Sequence, residues 1–170
     1  AHVTLTNPHK YMLRVCLTKV PGLIDQVKEL CMSAIAMTDH GTLSGAIEFY
    51  KEAKAENIKP IVGMEAYVAA RGLSDKDPVK DKQYTHLILL AMNHTGYQNL
   101  MALSTIANLE GFYYKPRIDR ELLAKHNEGI ICLSGCASGE VGNLLRQWQY
   151  DQALEVANRY KQAFGYVYYQ

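Results

Sequence analysis

Short apolar runs rich in valine, isoleucine and leucine alternate along this chain with stretches whose apolar residues recur every three or four positions. The short runs are typical of buried strands, and the spaced stretches are typical of helices with one apolar side. A helix between two neighbouring strands carries the chain back to its starting edge, so that the strands run in the same direction. The pattern therefore predicts an α/β fold with a mainly parallel sheet.

The element boundaries follow from the same pattern. A helix is predicted around Pro21, which suits a first helical turn, and another begins near Thr95. The charged stretch 71–84 contains Gly72 and Pro78 and is predicted to be an exposed, mobile loop. The stretch 111–119 is predicted to be irregular. Strands are predicted at 33–38, 58–69, 86–92, 129–133 and 166–170, and further helices at 43–50 and 150–164.

Four or five strand-helix units are compatible with two architectures. One is an open, doubly wound sheet, and the other is part of a closed barrel. Both place their sites at the carboxyl ends of the strands, so the architecture by itself names no chemistry.

Charge and hydropathy restrict the function classes. The formal net charge of +1 gives no general attraction for phosphate backbones, so a nucleic-acid partner requires a local basic patch. The longest apolar run, 87–92, is too short to cross a bilayer, and the first residues do not form a secretion signal. We therefore expect a cytoplasmic protein with no membrane partner. Without such a signal, the cysteines are expected to be free thiols or metal ligands, at Cys16, Cys31, Cys132 and Cys136.

Four metal-capable side chains lie at or near predicted strand ends. His40 follows one strand, Glu65 lies inside another, His86 opens a third, and Cys136 comes just after a fourth. Imidazole, carboxylate and thiolate together suit zinc or a similar transition ion. Each residue also has a structural alternative: a turn former, a solvated carboxylate, a satisfied core histidine or a small buried thiol.

A second candidate site lies in the sequence GFYYKPRID. Lys115 and Arg117 are a possible phosphate-binding pair beside three aromatic residues that can stack on bases, Phe112, Tyr113 and Tyr114. The alternative is a solvated basic loop with packed tyrosines.

Several segments together resemble the PHP (polymerase and histidinol phosphatase) domain of bacterial DNA polymerase III alpha subunits. They are MTDHGTLSGAIEFYKEAKAENIKPIVGMEAYVA, HLILLAMNHTGYQNL, EGFYYKPRID and IICLSGCASGEV, in that order. The resemblance implies a distorted (βα)7 TIM-like barrel in a family of phosphoesterases and 3′-5′ exonucleases that hold up to three metal ions. It also implies that His40, Glu65, His86 and Cys136 match metal-ligand positions.

The sequence departs from this family at three ligand positions. Family members begin with an HxH strand and carry an acidic residue shortly afterwards, whereas alignment on Tyr11 places Thr6, Pro8 and Val15 there. A late Asp-x-His of the family falls beyond residue 170. With four of about nine positions retained, a two-metal site is hard to assemble. We expect one weakly held zinc or manganese ion, or none.

These observations predict a divergent segment at 1–16 followed by a partial PHP domain at 17–170. The first functional hypothesis is a structural or interaction module with a degraded metal site. The alternative is a metal-dependent phosphoesterase or 3′-5′ exonuclease acting on DNA; small-molecule phosphomonoester hydrolysis fits GFYYKPRID less well. The family implies DNA and replisome subunits as partners, and open barrel edges would permit a homodimer.

Overall fold

The structure is a computed structural model that describes residues 4–5, 19–165 and 167–168. Most of the predicted segment 1–16 lies outside the described residues, as do Thr6, Pro8 and Val15. The described helices are α1 Val20–Glu29, α2 Ala46–Ala55, α3 His94–Leu109, α4 Arg120–Lys125, α5 Glu140–Arg146 and α6 Tyr150–Phe164. The described strands are β1 Thr4–Leu5, β2 Ala34–His40, β3 Lys59–Ala69, β4 Tyr84–Ala91, β5 Phe112–Tyr113, β6 Lys115–Ile118, β7 Ile130–Leu133 and β8 Val167–Tyr168.

Local sequence signals explain where the predicted helices begin. Pro21 occupies the first turn of α1, where a missing backbone N–H costs nothing. The Asn93 side chain accepts a hydrogen bond from the Gly96 backbone N–H at 2.9 Å and caps α3. The helices that sequence periodicity did not predict, α4 and α5, span 6 and 7 residues, too few for a periodic pattern. None of the described helices is long and apolar enough to cross a membrane.

The main sheet has the strand order β1-β2-β3-β4-β7-β8. Strand β6 pairs with the end of β3, on the edge of β3 that does not face β4. The pairs β1·β2, β2·β3, β3·β6 and β7·β8 are parallel, which confirms a mixed α/β fold with a mostly parallel sheet. Strand β4 is the exception, because it runs antiparallel to both β3 and β7. Its reversal follows from its connection: β3 and β4 are joined by a loop, and no helix returns the chain to the opposite edge.

The stretch 111–119, which was predicted to be irregular, is a tight β-hairpin. Phe112 pairs with Pro116 and Tyr113 with Lys115, while Arg117 pairs with Tyr67 of β3. The hairpin therefore continues the sheet at the point where β2 has ended. The sequence pattern hides it because β5 is only two residues long and Pro116 is not a typical strand residue.

The two faces of the sheet are packed differently. One face is covered by helices: Leu87 and Leu89 of β4 pack with Leu100 and Leu103 of α3, and a second cluster joins β2 to α1 and α2. The opposite face carries a smaller apolar cluster, which consists of Ala36, Ile88, Leu90 and Leu133. Side chains that alternate with the helix-facing residues therefore reach this second face, and the candidate site residues are among them.

The loop between β3 and β4 is more ordered than its sequence predicted. Asp81 is 1% exposed, and its carboxylate accepts two hydrogen bonds from the Arg71 guanidinium and one from the Asp77 backbone N–H. The prediction of an exposed loop is therefore wrong for Asp81, although Lys76, Val79, Lys80 and Lys82 are exposed.

This ion pair predicts an acid-sensitive step in stability. Hydrogen bonding to Arg71 lowers the pKa of Asp81 to about 2, below its usual value. Because the pKa is depressed in the folded state, the stabilisation is present above the unfolded-state pKa and is lost as pH falls through about 2. Urea unfolding across this acidic range should show a declining free energy in the parent. The variant Asp81→Asn should be less stable at neutral pH and should show a smaller decline, and an equal decline in both proteins would contradict the assignment.

Candidate functional site

The predicted site residues converge on one edge and one face of the sheet. His40 closes β2 and pairs directly with Glu65 of β3, and His86, near the start of the reversed β4, pairs with Tyr67. Directly opposite residues share a face, so His40, Glu65, Tyr67 and His86 all project from the face that the helices leave uncovered. Cys136 follows the end of β7 at the same edge.

His40 and Glu65 form a close pair. Nδ1 of His40 lies 3.2 Å from Oε1 of Glu65, and both side chains are largely buried. The contact has an ion-pair distance but not the alignment of a good hydrogen bond, since Nδ1 has no aligned partner among the described residues. The Glu65 carboxylate raises the pKa of His40, against the opposing effects of burial and of the positive charge of Lys115. The pair therefore favours a protonated imidazole in the absence of a metal ion.

His86 and Cys136 form a second close pair. The backbone N–H of Cys136 donates to Nε2 of His86 at 3.3 Å. An amide N–H can only donate, so Nε2 is the unprotonated nitrogen of a neutral imidazole in this arrangement. The lone pair that would bind a metal ion is therefore already occupied. The Cys136 sulfur accepts a hydrogen bond from the Ser138 N–H at 3.3 Å.

Glycine at position 135 permits this second pair to form. Gly135 has a φ of 77°, in the left-handed region that favours glycine, and a Cβ there would lie 2.8 Å from the His86 carbonyl oxygen and 3.0 Å from its Cδ2. Any side chain at this position would push the 134–139 segment away from the His86 ring.

The segment after Cys136 is anchored by Glu140 at the start of α5. Its carboxylate accepts hydrogen bonds from Arg120 of α4 and from the Tyr160 hydroxyl of α6. Burial raises the pKa of Tyr160 well above its usual value, and the Glu140 charge adds to the effect, so the hydroxyl stays a donor. Two helices thus fix the position at which α5 begins.

The two pairs do not combine into a metal cage. Across residues 19–165, no group of three or more His, Cys, Asp or Glu side chains has the arrangement needed to hold a metal ion. Zinc sites use three or four protein ligands. The four predicted ligands therefore lie at one edge of the sheet. Each of the two pairs, His40–Glu65 and His86–Cys136, provides only two donor side chains for a metal ion.

Lys115 and Tyr67 both lie near His40, although the sequence predicted a binding role only for Lys115. Lys115, predicted as a phosphate-binding residue, places Nζ 5.4 Å from the centroid of the Tyr67 ring. That ring stacks on His40, with centroids 6.2 Å apart and planes 14° apart. Burial raises the pKa of Tyr67 to about 12, so its phenol remains neutral and can support a cation. Lys115 thus lies beside the candidate site, and Tyr67 is a neighbouring residue that the sequence analysis missed, because an aromatic residue in a strand resembles ordinary core.

Arg117 does not fit the predicted phosphate-binding role. It is 0% exposed, and its guanidinium donates to the backbone carbonyl oxygens of Gly111, Leu73, Asp75 and Asp81. A phosphate could reach it only if this network opened, so the contacts of Arg117 favour a structural role over the predicted phosphate-binding one. The KPR sequence gave no sign of the difference between Lys115 and Arg117, since both are basic and only two residues apart.

Comparison with known proteins identifies the family of this chain. The family profile described as "PHP domain" matches residues 9–169. DNA polymerase III subunit alpha from Thermus aquaticus is 50% identical over 86% of this chain and 12% of its own length. The corresponding subunits of Treponema pallidum (48% over 91% of this chain, 13% of its own length) and Borreliella burgdorferi (45% over 94%, 14%) are similar. The chain thus spans about an eighth of these relatives.

Solved structures are less similar. A protein of Bifidobacterium adolescentis, described as a candidate metal-dependent phosphoesterase, is 14% identical over 54% of this chain and 28% of its own, with a TM-score of 0.38. The family assignment therefore depends on the sequence matches alone. This chain belongs to the PHP domain family, and its relatives include bacterial DNA polymerase III alpha subunits.

Proposed function

We propose that this domain serves a DNA polymerase III alpha subunit as a structural and interaction module whose metal site is reduced. The observation that supports this most directly is the division of the four retained donors into two pairs, one of which uses the His86 lone pair internally. The sequence adds Thr6, Pro8 and Val15 at family ligand positions. Neither proline nor valine has a side-chain donor for a metal ion.

The same proposal covers the barrel architecture, the bound metal, the cellular location and the partners. In this proposal the strands would belong to a distorted (βα)7 barrel whose interior is the face bearing His40 and Glu65. A zinc or manganese ion would be held by these two residues, with His86 and Cys136 joining only after the Cys136 amide moves. The setting would be the cytoplasm, with DNA and replisome subunits as partners and a homodimer as a further expectation.

A second function, metal-dependent phosphoester hydrolysis, has one observation in its favour. Four metal-capable side chains and the cationic Lys115 share the edge where α/β folds place their sites. A metal ion bound there would supply a Lewis acid and a hydroxide at neutral pH. His40, Glu65 and Lys115 would orient a phosphoester and offset its charge.

Metal content and phosphodiesterase activity distinguish the two functions. We expect chelator-treated protein re-equilibrated with zinc or manganese to bind less than one equivalent by elemental analysis, and to hydrolyse bis(p-nitrophenyl) phosphate no faster than buffer. The variants His40→Ala and Glu65→Ala should lose the residual metal, because each removes one of two adjacent donors. His94→Ala, which changes an exposed histidine at the start of α3, is the matched control and should bind as the parent does.

A variant designed to restore metal binding also tests the proposal of a reduced metal site. Thr6→His, Pro8→His and Val15→Asp combined restore the family's donor types, so both bound metal and hydrolysis should increase. Tight, stoichiometric metal in the parent, together with hydrolysis that His40→Ala abolishes, would refute the reduced site and establish the phosphoesterase.

A further inference from the structure

The hairpin of β5 and β6 has an unusual residue at its tip. Tyr113 pairs with Lys115, so Tyr114 alone makes the turn, and it does so with a φ of 59°. This left-handed conformation is unfavourable for a residue with a Cβ, and glycine or asparagine usually occupies it. The tyrosine is nevertheless 60% exposed, so its ring gains little from packing in this chain. Strain of this kind clusters at binding sites.

Two neighbouring aromatic residues extend the surface at this tip. Phe112 is 54% exposed, and Tyr113 meets the Tyr114 ring edge to face at a centroid distance of 4.7 Å. Tyr113 also lies over the Arg117 guanidinium at 5.1 Å, and that guanidinium is fixed by the carbonyl oxygens described above. Phe112, Tyr113 and Tyr114 are called the aromatic platform below. Its base is rigid, while the rings of Phe112 and Tyr114 are open to solvent.

The aromatic platform lies close to the candidate site. Pro116, two residues after Tyr114, contacts the residue that follows His40: a Cβ on Gly41 would lie 2.5 Å from Pro116 Cγ. Lys115, between the platform and Pro116, directs its ammonium group over Tyr67, which stacks on His40. The cation that follows the aromatic platform in sequence thus reaches the candidate site.

We propose that the aromatic platform binds unpaired nucleotides of a single-stranded nucleic acid, with bases stacked on Tyr114 and Phe112 and a backbone phosphate held by Lys115. Open aromatic rings beside a cation match the alternation of flat bases and anionic phosphates along a single strand. A duplex fits poorly, because its bases are already stacked within the helix. The proposal rests on the proposed function, which names DNA as a partner, and adds the residues that would contact it; this binding requires no metal ion and no hydrolysis.

Binding to a fluorescently labelled oligothymidylate, measured by anisotropy at low salt with EDTA present, tests the platform. We expect measurable affinity for the parent and roughly tenfold weaker binding for Tyr114→Gly and for Phe112→Ala, which is within the range measured for lost base stacking. Tyr114→Gly should melt at the same or a higher temperature, because glycine relieves the strained φ. A loss of binding in this variant therefore cannot be a loss of fold.

Further variants separate the contributions. Tyr50→Ala removes a tyrosine from α2 that is similarly exposed but lies away from the hairpin, and it should bind as the parent does. Lys115→Gln should reduce the salt dependence of binding by about one ion per strand bound. His40→Ala should bind normally, which keeps this result distinct from that of the metal experiment.

Three results would overturn the proposal. One is an absence of oligothymidylate binding by the parent, which would leave the platform to a protein partner. A second is unchanged affinity in Tyr114→Gly. Equal affinity for an oligonucleotide that lacks bases would also overturn it, because the platform would then make no stacking contribution.

Discussion

Replacing Arg117 with methionine should destabilise this domain by about 3–5 kcal/mol. The guanidinium is fully buried and donates to four backbone carbonyl oxygens, which lie in the β3–β4 loop and in Gly111. A hydrogen bond to a charged group contributes roughly 1.5–3 kcal/mol, and losing several leaves buried acceptors without a donor. Methionine keeps most of the side-chain volume, so the loss reports on hydrogen bonding more than on packing. Urea unfolding followed by circular dichroism measures the change.

Two variants show whether the donors are responsible. Arg117→Lys keeps the charge but has one compact ammonium group, which cannot reach carbonyls on several sides, so it should recover less than half of the loss. Arg146→Met removes an exposed arginine with a single side-chain hydrogen bond, to Asn143, and should change stability by less than about 0.5 kcal/mol. Limited proteolysis should find the 71–83 loop newly cleavable in Arg117→Met. A change in Arg117→Met as small as that of Arg146→Met would contradict the buried network.

The sequence pattern predicted the strands and long helices well because each has a local cause. The short apolar runs predicted β2, β3, β4 and β7, and the apolar stripe predicted α6. The reversed direction of β4 was not predicted, because it depends on whether a loop or a helix makes the connection. The hairpin was missed because its strands are short and its pairing with β3 is a tertiary contact.

The candidate site, like the fold, could be predicted only in part from the sequence. Positions at or near the predicted strands made His40, Glu65, His86 and Cys136 candidates, and the strand register brings the first three to one edge. Their separation into two pairs depends on side-chain direction and on the path of the 134–139 segment, which no spacing rule specifies. The contrast between Lys115 and Arg117 likewise comes from long-range contacts, since the carbonyl oxygens of Leu73, Asp75 and Asp81 are distant in sequence.

Replacing Gly135 with alanine should separate Cys136 from His86 and destabilise the domain by about 2–5 kcal/mol. The left-handed φ of 77° costs an alanine roughly 1–2 kcal/mol. The new methyl group would also lie 2.8 Å from the His86 carbonyl oxygen and 3.0 Å from Cδ2, and relief of such overpacking typically costs another 1–3 kcal/mol. The 134–139 segment must shift, so Nε2 of His86 loses the Cys136 amide as its donor.

Gly165→Ala is the matched control, because it has a φ of 73° and no described atom within 4 Å of the new Cβ. It carries the conformational cost alone, about 1–2 kcal/mol, so the excess in Gly135→Ala measures the contact with His86. Long-range proton-nitrogen NMR spectra of the imidazole should show a neutral ring with an accepting Nε2 in the parent and an altered Nε2 signal in Gly135→Ala. If the two alanine variants lose equal stability and the His86 signals stay unchanged, Gly135 is required only for its backbone conformation. A freed Nε2 would make His86 available to a metal ion, so zinc affinity measured in the same samples would show whether the Cys136 amide is what restrains this half of the site.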